Sequence, residues 1–339
     1  MKLIVDVFGS DHPDELIAGC AQCSLEVPEA TLVLPGREEL LRPALEALPH
    51  EPSRIEILPA ETVITNHDDP IQAVMKHRDS SLVTGIQRLC RDPEVGAMLT
   101  AGSTGATFVA GITFLGRIKG VQTPTLATFL PSETGRDVCL ADCGANVDCK
   151  PERLADFARL AVALMQSYGV ENPRVGLLSV GVEEGKGSHF VRAAYDLLEQ
   201  MPINFAGNME ARDALTGEYD VIVSEGFSGN VLLKSIEGTA MFVGSLMKRM
   251  FKKNVFSKLG YLLCSSGVKQ MMKLLDYHEI GGTQLLGIKK PVIKAHGASD
   301  RLAFRNAVKQ AMDAAENDIT QDLEQALALL AQSKEQTND

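Results

Sequence analysis

Lys186 stands between two glycines in Glu183-Glu184-Gly185-Lys186-Gly187, so its ammonium is presented on an open loop. A cation held this way suits an anionic substrate. It equally suits a solvated lysine paired with Glu183 or Glu184, a contact worth little at a surface. Asn230 follows Ser228-Gly229 at a predicted helix start. Its amide could hydrogen-bond a carbonyl oxygen on which charge develops, or simply cap the turn. Gly102-Ser103-Thr104-Gly105 combines two glycines, two hydroxyls and a following helix, a set of groups that suits a phosphate. Alone, that tetrapeptide signals little more than a tight turn. Asn146, in Cys143-Gly144-Ala145-Asn146 with Asp148 and Lys150 beyond, invites the same two readings. His12 and His296 lie in loops and are candidate acid–base groups or hydrogen-bonded bystanders.

Other chemistries are excluded. No Gly-Lys-Ser/Thr closes the glycine loop and no Gly-x-Gly-x-x-Gly follows the first apolar run, which argues against triphosphate and dinucleotide binding. There is no Gly-x-Ser-x-Gly elbow, and no cluster with metal-ligand spacing. Cys143 has no histidine near it in sequence and makes a poor nucleophile candidate. Cys20 and Cys23 are three apart on a predicted helix, a spacing that fits one buried face better than a redox pair. The chain has 339 residues, with 33 Lys+Arg against 44 Asp+Glu for a net charge of −11, and no Trp. An acidic protein without a broad basic surface or stacking aromatics is a poor nucleic-acid binder. Seven scattered cysteines, no signal-peptide pattern and no apolar run near the ~20 residues of a membrane span predict a cytoplasmic protein, at most peripheral to a membrane.

The elements that must position these loops repeat one theme. A short apolar strand runs into a polar, glycine-containing loop, and a helix follows. Leu3–Val5 leads into Asp6–His12 and a helix from Pro13, and Thr31–Leu34 leads to a helix over Arg37–Ala47. Val95–Leu99, Val138–Ala141, Val175–Val180, Val221–Val223 and Val292–Lys294 each end in one of the loops above. Pro151 suits the first turn of a long helix, and Ser188 suits an N-cap. The alternation predicts a three-layer α/β/α architecture around a mostly parallel, Rossmann-like sheet. In such a sheet the loops after the strands share one edge, so at least five of these loops are expected to line one cleft. Residues 1–330 then form a single α/β domain, with residues 331–339 a frayed tail.

One stretch reverses the sign of the molecule. Thr239–Leu275 contains no Asp or Glu but seven lysines and arginines, among them Lys248, Arg249, Lys252, Lys253 and Lys258, interleaved with Phe242, Met250, Phe256 and Leu262. This predicts a protruding, basic amphipathic helical segment over about 239–285, broken near Gly260 and Gly267. It is either a helix with a solvated lysine face or a docking surface for an acidic protein or an anionic membrane.

Taken together the loops are more specific than any one of them. Gly9-Ser10-Asp11-His12, Ala101–Ala106, Gly144–Pro151, Glu183–Gly187, Gly207–Glu210, Gly226–Val231 and Pro291–Gly297 occur in an order that resembles the bacterial acyl-ACP:phosphate acyltransferases of phospholipid synthesis. Lys76–Ser81 and Leu115–Gly120 fit it as well, and the likeness spans residues 1–316. The resemblance implies transfer of a fatty acyl group from acyl carrier protein to orthophosphate. It implies a fold related to the isocitrate dehydrogenase and phosphotransacetylase group, a homodimer, no cofactor, and peripheral contact with an anionic membrane. It ties Lys186 and Asn230 to catalysis. It gathers Asp6, Gly9, Ser10, Asp11 and His12, then Gly102, Ser103, Thr104 and Gly105, then Asn146, Gly229 and His296, around phosphate and donor. Lys248, Arg249, Lys252, Lys253, Phe256 and Lys258 become the contact with carrier protein or membrane.

The chain departs from that pattern at a few places. Phe8-Gly9-Ser10-Asp11 stands where the family usually has Met-Gly-Gly-Asp, Ser103 where it has Asn, Glu225 where it has Asp, and Ser228 where it has Thr. Pro13-Asp14 stands where Ala-Pro is usual. Ser10 and Ser103 can still donate to phosphate. The competing expectations are a phosphotransacetylase-like enzyme that takes acyl-CoA, and a non-catalytic relative that binds carrier protein or membrane.

Overall fold

Leu3, Ile4 and Val5 are fully buried although they are consecutive, because both faces of their strand are covered. Leu3 and Val5 join one hydrophobic core and Ile4 the other. The same alternation recurs at Ala97, Met98 and Leu99. A strand buried on both sides reads as a continuous apolar run, and this is the pattern of a sheet between two helical layers. The computed structural model describes residues 1–275, 282–295, 301–317 and 319–336.

The strands are β1 (Lys2–Asp6), β2 (Thr31–Gly36), β3 (Ile55–Pro59), β4 (Val95–Thr100), β5 (Thr125–Leu130), β6 (Val138–Ala141), β7 (Arg174–Ser179), β8 (Asn204–Glu210), β9 (Val221–Val223), β10 (Thr283–Leu286) and β11 (Val292–Lys294). They form one sheet in the order β3-β2-β1-β4-β11-β10-β5-β6-β9-β7-β8. The helices are α1 (Pro13–Glu26), α2 (Glu38–Glu46), α3 (Pro70–Lys76), α4 (Ser81–Arg91), α5 (Thr104–Ala110), α6 (Glu152–Ser167), α7 (His189–Glu199), α8 (Gly226–Lys252), α9 (Val255–Leu275), α10 (Arg301–Glu316) and α11 (Ile319–Gln336). Residues of α1, α2, α6, α7 and α10, Phe157 and Phe304 among them, fill the core on one face. Residues of α3, α4, α5 and the start of α8 fill the other. Truncating a fully buried side chain such as Phe157 or Leu99 to alanine costs about 2–5 kcal/mol. Cys20 and Cys23 are buried in the first core, where burial pushes the Cys23 thiol up to about 11, consistent with packing rather than redox chemistry.

The single cleft edge expected from the sequence is corrected by the sheet. Seven of its strand pairs are parallel, but β10 is antiparallel to both β11 and β5, and β5 is antiparallel to β6. The strands β6, β9, β7 and β8 therefore run opposite to β1–β4, β11 and β5. The loops after β1, β4 and β11 leave one edge, and those after β6, β7 and β9 leave the opposite edge. The missed elements β5 and β10 cause this, since neither ends in one of the polar glycine loops that marked the other strands.

The basic segment is also redrawn. The helix that carries it begins at Gly226, and the break falls at Lys253-Asn254, where Asn254 Oδ1 accepts from Ser257 N at 2.8 Å. Gly260 and Gly267 lie inside α9. An interior glycine costs about 1 kcal/mol, which packing offsets; here Phe251 and Tyr261 meet edge-to-face at 5.2 Å across the helix pair. The pair stands off the domain with Lys248, Arg249, Lys252, Lys253, Phe256 and Lys258 all exposed, Phe256 to 84%. Thr283–Leu286, at the end of the range expected for it, is instead a strand of the sheet. At the C-terminus α11 continues past Leu330 to Gln336, beyond where the sequence predicted fraying. No described helix is long and apolar enough to cross a membrane.

Candidate active site

At the edge where β1, β4 and β11 end, four polar residues lie side by side. Thr100 is in register with Asp6 on one side and Lys294 on the other, and Lys294 is in register with Thr283. Paired residues of neighbouring strands point to the same face. Accordingly Thr100 Oγ1 donates to Asp6 Oδ2 at 2.9 Å and accepts from Gly102 N at 3.1 Å. Asp6 is 1% exposed, and burial pushes its carboxyl up to about 6 against the opposing pull of Thr100 and Lys294. Burial pushes the Lys294 ammonium the other way, down to about 8, while Asp6 holds it up and Lys234 adds to the fall. Lys294 Nζ donates to the Ala101 carbonyl at 3.4 Å and to the Ala295 carbonyl.

The opposite edge is organised by Asp142. Its carboxylate accepts from the backbone N–H groups of Gly144, Ala145 and Asn146 at 2.7–2.9 Å and from the Asn146 amide. Burial still leaves its carboxyl above the usual range. Asn146 also donates to the Pro124 carbonyl at 3.0 Å, so its side chain ties the loop to the sheet. The first turn of α8 packs directly on this loop. A Cβ on Gly229 would lie 1.9 Å from the Asp142 carbonyl oxygen, and one on Gly226 2.8 Å from the Asn146 backbone. Glu225 caps the helix, accepting from Ser228 N and Ser228 Oγ. This close approach sets Asn230 against Gly144.

Between the two edges, over β5 and β10, lies a cavity of about 480 Å³. Leu126 to Phe129 of β5 cover only about 10 Å of strand, so groups from both edges reach it. Gly102, Thr104, Lys294 and Asp11 wall one side, Cys143, Gly144 and Asn230 the other, with Thr128 and Thr283 on the sheet between. Leu233, Lys234 and Glu237 of α8 close it, Lys234 Nζ pairing with Glu237 at 2.7 Å. Leu233 and Glu237 also line a neighbouring groove of about 380 Å³ whose other walls include Leu130, Leu215, Ile236 and Val243. One side of α8 thus faces a polar cavity and, next to it, an apolar one.

Of the residues singled out from sequence, Asp11, Gly102, Thr104 and Asn230 line the cavity. Asp6, Gly9, Ser103, Gly105, Asn146 and Gly229 build its frame. Gly9 has φ +79° and no room for a Cβ, which would sit 2.8 Å from the Ile64 carbonyl. Ser103 is 6% exposed and its hydroxyl accepts from Ala106 N, capping α5. Ser10 turns back to donate to the Val7 carbonyl at 2.9 Å, and His12 is exposed at the start of α1; neither lines the cavity. Lys186 is exposed on the loop after β7, outside the cavity walls, with its backbone N–H held by the Glu183 carbonyl at 2.9 Å. His296 lies outside the described residues. Cys143 is buried with its thiol well above the ordinary range, the wrong state for a nucleophile. Sequence reasoning missed Lys294, Lys234, Asn66, Thr128 and Thr283. Of these only Lys294 left a signal, a lysine ending a strand whose other residues are wholly apolar.

Two strand systems that meet at an antiparallel seam, with lysines, carboxylates, hydroxyls and an amide converging over it, define an α/β protein with a polar-lined cleft at the seam. The chain overlays a branched-chain phosphotransacylase from Enterococcus faecalis with a TM-score of 0.58 at 13% identity, over 92% of this chain and 98% of that one, so the two share a fold. The family model "Fatty acid synthesis protein" matches residues 1–322. Phosphate acyltransferases from Brevibacillus brevis and Thermoanaerobacter pseudethanolicus are 41% and 42% identical, over 96% and 94% of this chain and 97% and 95% of theirs. The chain belongs to this phosphate acyltransferase family and is an acyltransferase.

Proposed function

We propose that the protein transfers a fatty acyl group from acyl carrier protein to orthophosphate, giving an acyl phosphate for phospholipid synthesis. The observation that carries this reading is the cavity itself, where Lys294, Lys234, Thr104 and Asn230 converge beside an apolar groove. A phosphate oxygen attacks the thioester carbonyl carbon, a C–O bond forms, the C–S bond breaks, and the leaving thiolate takes up the proton released from phosphate. Phosphate near neutral pH is already nucleophilic and a thiolate leaves readily, so the site needs neither a strong base nor a covalent nucleophile. Positioning is worth up to ~7–11 kcal/mol, and one donor to the developing oxyanion ~3–4 kcal/mol. Asn230 is that donor, and the acyl chain lies in the apolar groove along α8. Lys186, at the same sheet edge as Gly144, acts on the thioester side.

The exposed basic pair α8–α9 suits an acidic carrier protein and, with Phe256 and Leu263 at 84% and 85% exposure, an anionic membrane surface. We assign the protein as a homodimer that touches such a membrane peripherally from the cytoplasm. The deciding experiment is acyl-phosphate formation from long-chain acyl carrier protein and orthophosphate, beside the same reaction with acyl-CoA. Phosphate-dependent product, faster from the carrier protein, is expected. Equal or better turnover of acyl-CoA overturns the carrier-protein donor, and no product from a folded protein overturns the reaction.

A further inference from the structure

We infer that Lys294 is the residue that holds the acceptor phosphate, as the half-buried floor of the cavity, with Asp6 as its positioning partner through Thr100. The inference rests on reading the cavity as the site of acyl transfer to phosphate, and it names the end of that cavity where the anion sits.

The geometry has three parts. First, Lys294 is the last residue of a central strand, so its Cα is fixed by ladder bonds on both sides, to β4 and to β10. A cation mounted on a sheet holds its place better than one on a loop. Second, its Nζ is turned toward the Ala101 and Ala295 carbonyls, next to Gly102 and Thr104 at the cavity wall. Third, Asp6 lies behind it at the same level of the sheet, buried and tied to Thr100. A half-buried ammonium at a cavity wall gains from an anionic partner. Asp6 and Asp11 lie within electrostatic reach, yet the ammonium itself donates to two neutral backbone carbonyls, and on its cavity side phosphate oxygens would accept from it in a charge-assisted pair. Lys234, by contrast, is half exposed and already paired with Glu237 on the helix side, as suits a group at the mouth.

Asn230 stands across the cavity, against Gly144. Phosphate on the Lys294 side and the thioester carbonyl on the Asn230 side would face each other over Thr128 and Thr283. This division of the cavity makes a kinetic prediction that a merely structural lysine does not.

The test compares the intact protein with Lys294→Met and Lys294→Gln, which keep length or polarity without the charge, and with Lys294→Arg. Orthophosphate binding is read by calorimetry alone, and acyl-phosphate formation by steady-state kinetics in both substrates. Expected is a rise of about tenfold or more in the KM for phosphate in the neutral variants, with little change in the KM for the acyl donor, and partial recovery in the arginine variant. Calorimetric binding of orthophosphate is lost in parallel. Asp6→Asn gives a smaller rise in the phosphate KM and alters its pH profile. Phosphate KM and binding within twofold of the parent in a folded neutral variant overturn the assignment, as does a defect confined to the donor KM. If one neutral variant fails to fold, the other and the arginine variant carry the comparison. Phosphate binding that depends on Lys294 in a protein that forms no acyl phosphate would support this site and overturn the proposed reaction. No orthophosphate binding by the parent protein overturns the site directly.

Discussion

Asp6 and Lys294 flank Thr100 at one level of the sheet, a buried acid and a half-buried lysine on either side of β4. Neither residue's neighbours in sequence announce the other, since 288 positions separate them. Their juxtaposition follows from β11 inserting beside β4 late in the chain. The groups facing Lys294 are Asp6 from β1, Asp11 from the loop after it, and Lys234 with Glu237 from α8.

This pair predicts a specific pH dependence. Lys294 is lowered from 10.5 to about 8, so between those values the native state binds fewer protons than the unfolded state, and stability from this group rises with pH. Asp6 is raised from 3.8 to about 6, so in that window the native state binds more protons, and its contribution falls as pH rises. Urea denaturation across pH should show the alkaline gain in the parent protein and its loss in Lys294→Met. Equal slopes above pH 8 in both would refute it. Activity should decline above about pH 8 as the cation is lost, and Lys294→Arg should move that decline upward.

Gly229→Ala should be costly out of proportion to one methyl group. The new Cβ would meet the Asp142 carbonyl oxygen at 1.9 Å and Ser224 Oγ at 2.6 Å, so the first turn of α8 must shift. A loss of about 1–3 kcal/mol in denaturant melts is expected, with a larger fall in activity because Asn230 moves with the turn. Gly238→Ala, where a Cβ meets nothing within 4 Å, should be neutral or slightly stabilising.

Lys186→Ala and Asn230→Ala should each lower turnover by roughly 100-fold or more while leaving the melting temperature near the parent value, because both side chains are exposed. Near-normal turnover in Lys186→Ala would remove it from the mechanism.

Reversing Lys252 and Lys253 to Glu should weaken binding to acyl carrier protein or to vesicles containing anionic lipid, and should flatten the salt dependence of that binding. Both residues are exposed at the turn between α8 and α9, far from either core. Unchanged binding in both assays would reduce the pair to a packed helical hairpin.

Narrowing the apolar groove should change chain-length preference without changing the reaction. Ala240 lines that groove on α8, and Ala240→Trp should favour shorter acyl donors in a competition assay. An unaltered preference would place the chain elsewhere.

Much of the fold was legible because local periodicity and caps do not depend on distant residues. The strand over Val221–Val223, the cap at Ser188, which accepts from Val191 N at 3.3 Å, and the helix following Pro151 appear where the sequence indicates. The candidate site was legible in part. Gly102, Thr104, Asp11 and Asn230 line the cavity, but Ser103 and Asn146 spend their polar groups on the frame. A hydroxyl or amide in a loop satisfies its own backbone as readily as a ligand, and only the folded geometry distinguishes the two.

By itself the sequence determined the α/β alternation, the acidic body with its basic helical segment, and a set of polar, glycine-containing loops at strand ends. Those properties reside in neighbouring residues and in composition. The tertiary structure decided the rest: β5 and β10 reverse the sheet, send the loops to opposite edges, and turn the expected edge cleft into a cavity over the seam. It also brought Lys294 to the same level of the sheet as Asp6, with Thr100 between them, and left Lys186 outside the cavity walls. Strand direction and order are set by which long-range pairings bury the most apolar surface, a global competition that no local window of sequence contains.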